Sequence, residues 1–173
     1  MDRLTGRAAR TTGIIRRIEP ADVATVVALV HELAEYEKAP EQCELTTEQL
    51  RHALFADAPA VFGHVAEVDG EVVGMALWFH TFSTWRGTQG IYLEDLFVRP
   101  THRGRGLGRE LLAALARECV RQGFGRLEWS VLNWNTPSIG FYQSLGAQPV
   151  LGWTVYRLAN NTLASLADPG EQR

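Results

Sequence analysis

Short apolar runs bounded by turn residues predict the strands of a β-sheet. The runs occupy residues 14–18, 61–68, 72–82, 91–98, 127–132 and 153–158. Asp69-Gly70 separates the second run from the third, and this dipeptide between two apolar runs is a strong hairpin signal. The first strands of the sheet are therefore expected to be mainly antiparallel.

Other segments repeat apolar residues at helical spacing. Val23, Val26 and Val30 predict a buried face on a helix that follows Pro20 and runs to about Tyr36. The capping pattern of Thr46 and Gln49 predicts a second helix over residues 47–55. Further helices are expected at residues 107–121 and from Asn135 to Gly146.

The order of these elements predicts a mixed α/β sheet with one βαβ crossover after residue 98. Residues 14–160 are interpreted as a single domain, because no linker divides them. Residues 1–13 are basic and aperiodic, which favours a disordered arm. Residues 161–173 are interpreted as a polar, frayed tail.

Composition narrows the class of protein. The 173 residues carry a net charge of −3, which offers no global basic field for nucleic acid. No apolar run reaches the length of a membrane span, and the two cysteines show no metal-like spacing. The five histidines form no metal-ligand pattern, so no metal is expected. We expect a cytoplasmic protein without nucleic-acid or membrane partners.

The chemistry is concentrated in residues 92–109. Glu94 and Asp95 interrupt an apolar strand, and a strand that keeps acids in its middle either pairs them or uses them. Because neighbouring residues lie on opposite faces of a regular strand, one acid is expected to be structural. We assign a capping or pairing role to Asp95 and the chemical role to Glu94.

A glycine-rich turn follows this strand and opens the long helix. Glycines allow close backbone approach, and a helix N-terminus supplies free N–H groups, so the turn suits a phosphate or pyrophosphate. The P-loop pattern is missing, and the dinucleotide fingerprint would need glycine where Arg109 stands. The pattern that remains is Arg103-x-x-Gly106-x-Gly108.

That pattern, with its acid-bearing strand and following helix, resembles the acyl-CoA motif of the GCN5-related N-acetyltransferase (GNAT) family. A second stretch, from Asn135 and Pro137 through Phe141 and Tyr142 to Gly146, is similar to the other signature of that family. The resemblance implies a mixed, mostly antiparallel sheet with a V-shaped splay between strands 4 and 5, flanked by about four helices. It also implies acetyl-CoA as co-substrate.

Residues 32–37, 45–46, 92–98 and 134–135 look like the diamine (spermidine/spermine) N-acetyltransferase branch of this family. That similarity spans about residues 14–158. It implies a homodimeric cytoplasmic enzyme that acetylates small primary amines.

The resemblance implies a set of cofactor contacts, some through the backbone. They are Leu96, Phe97, Val98, Arg103, Gly104, Arg105, Gly106, Leu107, Gly108, Arg109, Asn135, Thr136, Pro137 and Tyr142. The implied amine site includes Tyr36, Glu37, Trp85, Glu94, Glu128, Trp129 and Ser130. Trp85 reads equally well as a wall of that site and as an exposed loop aromatic.

Acetyl transfer to an amine needs a base for the amine and an acid for the leaving thiolate. An aliphatic ammonium has a pKa of about 10.4, so a base must remove its proton, and Glu94 is the candidate for that base or a relay. Tyr142 is the candidate acid for the leaving thiolate, against a simpler role as a core aromatic.

One departure from the branch leaves the acceptor open. Ser83-Thr84 precede Trp85, where the branch commonly has an acid, and fewer carboxylates hold a long polycation less well. A shorter amine or a lysine-like amino acid such as thialysine fits equally well. The alternatives are a family member acting on a protein or antibiotic amine, and an acyl-CoA sensor without turnover.

Overall fold

A computed structural model describes residues 13–167, which form two compact units divided between Ser130 and Val131. The predicted N-terminal arm lies outside the described residues except for Gly13. The prediction of one domain over residues 14–160 stays a prediction.

The first unit is a five-stranded sheet with three α-helices. Its elements are β1 (Ile14–Arg17), α1 (Val23–Tyr36), α2 (Thr47–Phe55), β2 (Phe62–Val68), β3 (Glu71–Ser83), β4 (Thr88–Val98), α3 (Leu107–Gln122) and β5 (Leu127–Trp129). The strands lie in sequence order, β1 to β4 antiparallel and β5 parallel to β4. The predicted hairpin at Asp69-Gly70 and the capping box of Thr46 and Gln49 are both confirmed.

The main core lies between the sheet and the α1–α2 pair. Its buried residues are Ile18, Val23, Val26, Leu29, Leu50, Leu54, Val65, Val72, Met75, Leu77 and Phe97. Burying one such side chain contributes about 1.5–3 kcal/mol, so this cluster carries much of the stability of the unit. Trp78 is also fully buried, and α3 buries the apolar stripe Leu111, Leu115 and Cys119. Gly123 ends α3 in the left-handed conformation (φ 69°).

The splay between β4 and β5 is confirmed. Pairing between the two strands covers only Ile91–Leu93 and Leu127–Trp129. β4 then continues through Val98 and keeps pairing with β3 up to Gly74. Along residues 94–98, therefore, no strand in the described part of the chain pairs with the β5 side of β4.

The second unit contains α4 (Thr136–Ser144) and α5 (Asn160–Ala167). The expected strand at residues 153–158 is wrong for this chain taken alone, because these residues are irregular and exposed and pair with no strand in the described part of the chain. The frayed tail is also wrong at its start, because α5 occupies residues 160–167. Residues 13–167 contain five α-helices, which fits the expected number of about four, and β5 ends at Trp129, before the expected residue 132.

Candidate active site

A β-bulge in β4 shapes the site. Leu77 of β3 pairs with Asp95 and Trp78 pairs with Leu93, so Glu94 is an extra residue without a partner on β3. A bulge breaks the alternation of a regular strand and re-aims its side chains. The expectation that Glu94 and Asp95 lie on opposite faces of a regular strand is therefore wrong at this point.

Three carboxylates interact around this bulge. Asp95 stands opposite Leu77, on the sheet face that packs against α1, and Glu37 caps the C-terminus of α1. Burial, then the charges of Glu94 and Glu37, raise the pKa of Asp95 to about 6. Burial also raises the pKa of Glu37. We call Glu37, Glu94 and Asp95 the carboxylate cluster.

Asp95 does not play the capping or pairing role expected from the sequence. It makes no hydrogen bond or ion pair with any residue in the range 13–167. The strand alone gave no signal for this difference, because the bulge and the approach of Glu37 depend on the neighbouring elements.

The cluster favours a cation. Three acids lie close together, and the C-terminus of α1 adds the negative end of a helix dipole. Like charges in a partly buried place raise each other's pKa until an opposite charge relieves them. An ammonium group would supply that charge, and a carboxylate with a pKa near 6 is suited to exchange protons near neutral pH.

Arg103 contacts both β4 and α1, and its predicted role in cofactor binding stays a prediction. Its Nε donates a 2.8 Å hydrogen bond to the carbonyl of Val98, and its guanidinium lies 5.1 Å from the ring centre of Tyr36. The same guanidinium lies 5.4 Å from the ring centre of Phe97. Arg103 therefore connects the glycine-rich turn with Tyr36, the residue before Glu37.

The turn itself has the geometry that a phosphate needs. Gly104 (φ 76°) and Gly106 (φ 88°) adopt the left-handed conformation that glycine permits, and Gly106 is the N-cap of α3. No side chain caps the first turn of α3, so its N–H groups stay available. Leu107 is buried and anchors the turn, whereas Arg105 and Arg109 are exposed. Together with Gly108, these residues have a geometry that could hold a pyrophosphate.

The backbone of Leu96, Phe97 and Val98 is open on one side because of the splay. These residues pair with Ala76, Met75 and Gly74 of β3, which leaves the opposite edge without a strand partner in the described chain. The carbonyl of Val98 is already engaged by Arg103. The edge can offer backbone groups to an extended ligand, as a further strand would.

The predicted β5 residues fall into different environments. Glu128 forms a 2.7 Å ion pair with Arg126, and the hydroxyls of Ser130 and Tyr92 are 2.6 Å apart. Trp129 alternates to the other face from Glu128. These three residues therefore do not present one acidic surface.

Trp85 is 89% exposed in the turn between β3 and β4. Six residues of β4 separate the turn from Glu94, which is about 20 Å of strand. Within the first unit, Trp85 is thus an exposed loop aromatic.

The second unit carries the other predicted contacts. Asn135 is buried and caps α4 by accepting a 3.3 Å hydrogen bond from the N–H of Ser138. Thr136 and Pro137 form the first turn of α4, as the sequence predicts. Tyr142 is half-buried on α4, and its ring centre lies 5.3 Å from that of Phe141.

Comparison with known proteins identifies the class. The sequence profile of the acetyltransferase (GNAT) family matches residues 26–147, so the chain belongs to this family. It is an acetyl-CoA-dependent N-acetyltransferase that acts on an amine.

Individual relatives are consistent with this class. The chain is 35% identical over 165 residues to thialysine N-epsilon-acetyltransferase of Bos taurus, covering 89% of this chain and 96% of that protein. It is 39% identical over 98 residues to L-ornithine N5-acetyltransferase NATA1 of Arabidopsis thaliana, covering 57% and 43%. An integron cassette protein of V. cholerae has a TM-score of 0.76 at 26% identity, covering 90% and 98%.

We find no helix in residues 13–167 that combines the length and apolar character needed to cross a bilayer.

We expect Asp95→Asn to stabilise the protein at neutral pH, because burial and two nearby acids oppose the charge on Asp95. The folded-state pKa of about 6 exceeds the ordinary 3.8, so the cost of this charge is complete above pH 6 and vanishes as pH falls towards 4. Urea unfolding should show a gain of about 1–3 kcal/mol at pH 7.5 and almost none at pH 4.

The matched control is Asp57→Asn, because Asp57 is an exposed acid in the loop after α2. That substitution should change the free energy of unfolding by less than about 0.5 kcal/mol at either pH. A loss of stability in Asp95→Asn at pH 7.5 would mean that Asp95 has the stabilising partner expected from the sequence.

Proposed function

We propose that this enzyme transfers the acetyl group of acetyl-CoA to the terminal amine of a small lysine-like amino acid, by direct attack of the amine in a ternary complex. Thialysine and ornithine represent this class of acceptor. The observation that carries the proposal is the carboxylate cluster of Glu37, Glu94 and Asp95, which adjoins the glycine-rich turn through Tyr36 and Arg103.

The residues that hold acetyl-CoA in this proposal are those of the turn and the open edge of β4. N–H groups of Gly104–Arg109 hold the pyrophosphate, and the backbone of Leu96–Val98 holds the extended pantetheine arm. Asn135, Thr136 and Pro137 complete the set at the start of α4. Acetyl-CoA supplies an activated thioester carbonyl to the site.

The amine site in this proposal is the carboxylate cluster with Tyr36. Because an aliphatic amine has a pKa of about 10.4, the acceptor arrives as an ammonium, and ionised Asp95 and Glu37 attract it. Glu94 then takes the proton, directly or through water, which frees the lone pair for attack. Tyr142 donates a proton to the departing sulfur, so that a thiol leaves instead of a thiolate.

Several observations favour a short, lysine-like acceptor over a long polyamine. A polyamine needs carboxylates spaced along its length, but Glu128 is already paired with Arg126, and Ser83-Thr84 stand before Trp85 without an acid. One compact cluster suits one terminal ammonium. The relatives named for thialysine and L-ornithine support the same class of acceptor.

We also propose that the enzyme works as a homodimer. Trp153, Val155 and Tyr156 are between 74% and 92% exposed in the single chain, in a segment with the alternating pattern of a strand. Exposed apolar segments of this length mark interaction sites. A second copy is the partner that would bury this segment; a cytoplasmic location stays a prediction.

The function is tested by CoA release from acetyl-CoA across thialysine, lysine, ornithine, spermidine, putrescine, a lysine peptide and an aminoglycoside. We expect kcat/KM for the lysine-like amino acids to exceed that for spermidine by about tenfold or more, because the loss of one ionic contact lowers kcat/KM by about this factor. Fastest release with the peptide or the aminoglycoside would instead favour a protein or antibiotic acceptor. Tight acetyl-CoA binding with no release would favour a sensor.

Tyr142→Phe should lower kcat by about 10²–10⁴-fold, the usual contribution of a general acid, because only the phenolic proton is lost. The dissociation constant of acetyl-CoA should stay within about twofold, since the ring remains. The matched control is Tyr156→Phe, because Tyr156 is 92% exposed in the single chain and lies outside the residues proposed for catalysis and cofactor binding. Unchanged turnover in Tyr142→Phe would remove Tyr142 from the chemistry.

The dimer is tested by light scattering during gel filtration. We expect twice the 19.2 kDa mass of one chain, and Val155→Lys should shift the protein towards that single-chain mass because it places a charge in the buried segment. The matched control is Val120→Lys, because Val120 is 82% exposed in the single chain and Val155 is 86% exposed. A wild-type monomer, or a Val155→Lys dimer of unchanged affinity, would contradict the proposal.

A further inference from the structure

A polar cleft of about 330 Å³ lies between β1 and α3, and neither the fold nor the proposed reaction accounts for it. Its charged lining consists of four arginines and one glutamate, with one histidine among them. These residues are Arg16, Arg17, Arg117, Arg121, Glu118 and His64. Because α3 rises about 1.5 Å per residue, Arg117 is about 15 Å along the helix from the glycine-rich turn at Leu107.

The histidine is built into the cleft as a neutral donor. His64 is only 7% exposed, and the indole N–H of Trp78 donates a 3.3 Å hydrogen bond to its Nδ1. A ring whose Nδ1 accepts carries its own proton on Nε2. In residues 13–167 no group accepts a hydrogen bond from that Nε2–H, although the ring lines the cleft.

The charges around His64 are predominantly positive. Burial, followed by the nearby charge of Arg17, lowers the pKa of His64 to about 4; Arg117 acts in the same direction, and Glu118 opposes it. The imidazole is thus held neutral between guanidinium groups.

Ion pairing explains only part of this arrangement. Glu118 binds Arg17 at 3.1 Å and Arg121 at 2.7 Å, and this network ties α3 to β1. Arg17 also lies 5.0 Å from the ring centre of Trp78. Arg16 is neutralised outside the cleft by Asp22 and Glu67.

Ion pairing does not explain the presence of Arg117 in the cleft. No acid pairs with it in the described ranges of the chain, and its charge adds to the positive potential felt by His64. A structural network would not need an unpaired cation beside an N–H donor that no group in residues 13–167 uses. The two features together match what a small anion requires.

We propose that this cleft binds a phosphate-type oxyanion, held by the Nε2–H of His64 and the guanidinium groups of Arg17 and Arg117. The ligand is inorganic phosphate or the phosphate of a small monoester. This site is separate from the pyrophosphate site of acetyl-CoA, and it does not depend on which amine the enzyme acetylates.

The test uses the full-length enzyme saturated with CoA, so that phosphate cannot occupy the glycine-rich turn. Inorganic phosphate and adenosine 5′-monophosphate are titrated separately, and the assigned imidazole ¹H–¹⁵N signals of His64 are followed at pH 7. We expect a saturable shift of the His64 signals with at least one of the two ligands. The ligand that saturates at the lower concentration identifies the source of the phosphate group.

Arg117→Gln should weaken this binding about tenfold, the usual effect of losing one charge-assisted contact, without affecting the fold, because Arg117 is exposed. Arg51→Gln removes one charge from an exposed arginine on α2 and should leave the affinity unchanged. No saturable shift with either ligand, or equal losses in both variants, would overturn the proposal.

Discussion

One extra residue in β4 determines the geometry of the site. Glu94 has no partner on β3, so the register of the strand changes between Leu93 and Asp95. Just ahead of this bulge, residues 91–93 pair on both sides, and beyond it β3 is the only strand in residues 13–167 that pairs with β4. The same few residues thus place Asp95 on the face that packs against α1, close to the charge of Glu94, and they precede the open backbone of residues 96–98. A regular strand would not bring Glu94 and Asp95 together in this way, and the open edge follows because β5 stops pairing with β4 at Leu93.

The arrangement has a cost in stability at neutral pH. Asp95 is held with a raised pKa among Glu94 and Glu37, and no cation in the described residues pairs with it. Two other acids of the same unit differ from Asp95, because Glu118 and Asp22 form ion pairs with arginines. Acids with a raised pKa and no cation partner are typical of functional sites, and this contrast supports the amine site proposed above.

Local signals predicted most of the elements and the family. The turn at Asp69-Gly70, the capping box at Thr46 and the glycine-rich start of α3 each depend on a few adjacent residues, so the sequence alone was sufficient. The missing partner of Asp95 and the contact of Arg103 with Tyr36 could not be predicted in this way. Each depends on a bulge or on packing against α1, which no single stretch of sequence encodes.

The missing last strand illustrates the same limit. Alternation at residues 153–158 reports a preference for extended structure, but a strand also requires a neighbour to supply its hydrogen bonds. In a single chain Trp153 and Val155 are exposed to solvent. Exposed apolar side chains of this kind are typical of interaction sites. Pattern and structure agree if the missing neighbour belongs to another copy. The sequence then encodes the strand correctly, for an assembly larger than one chain.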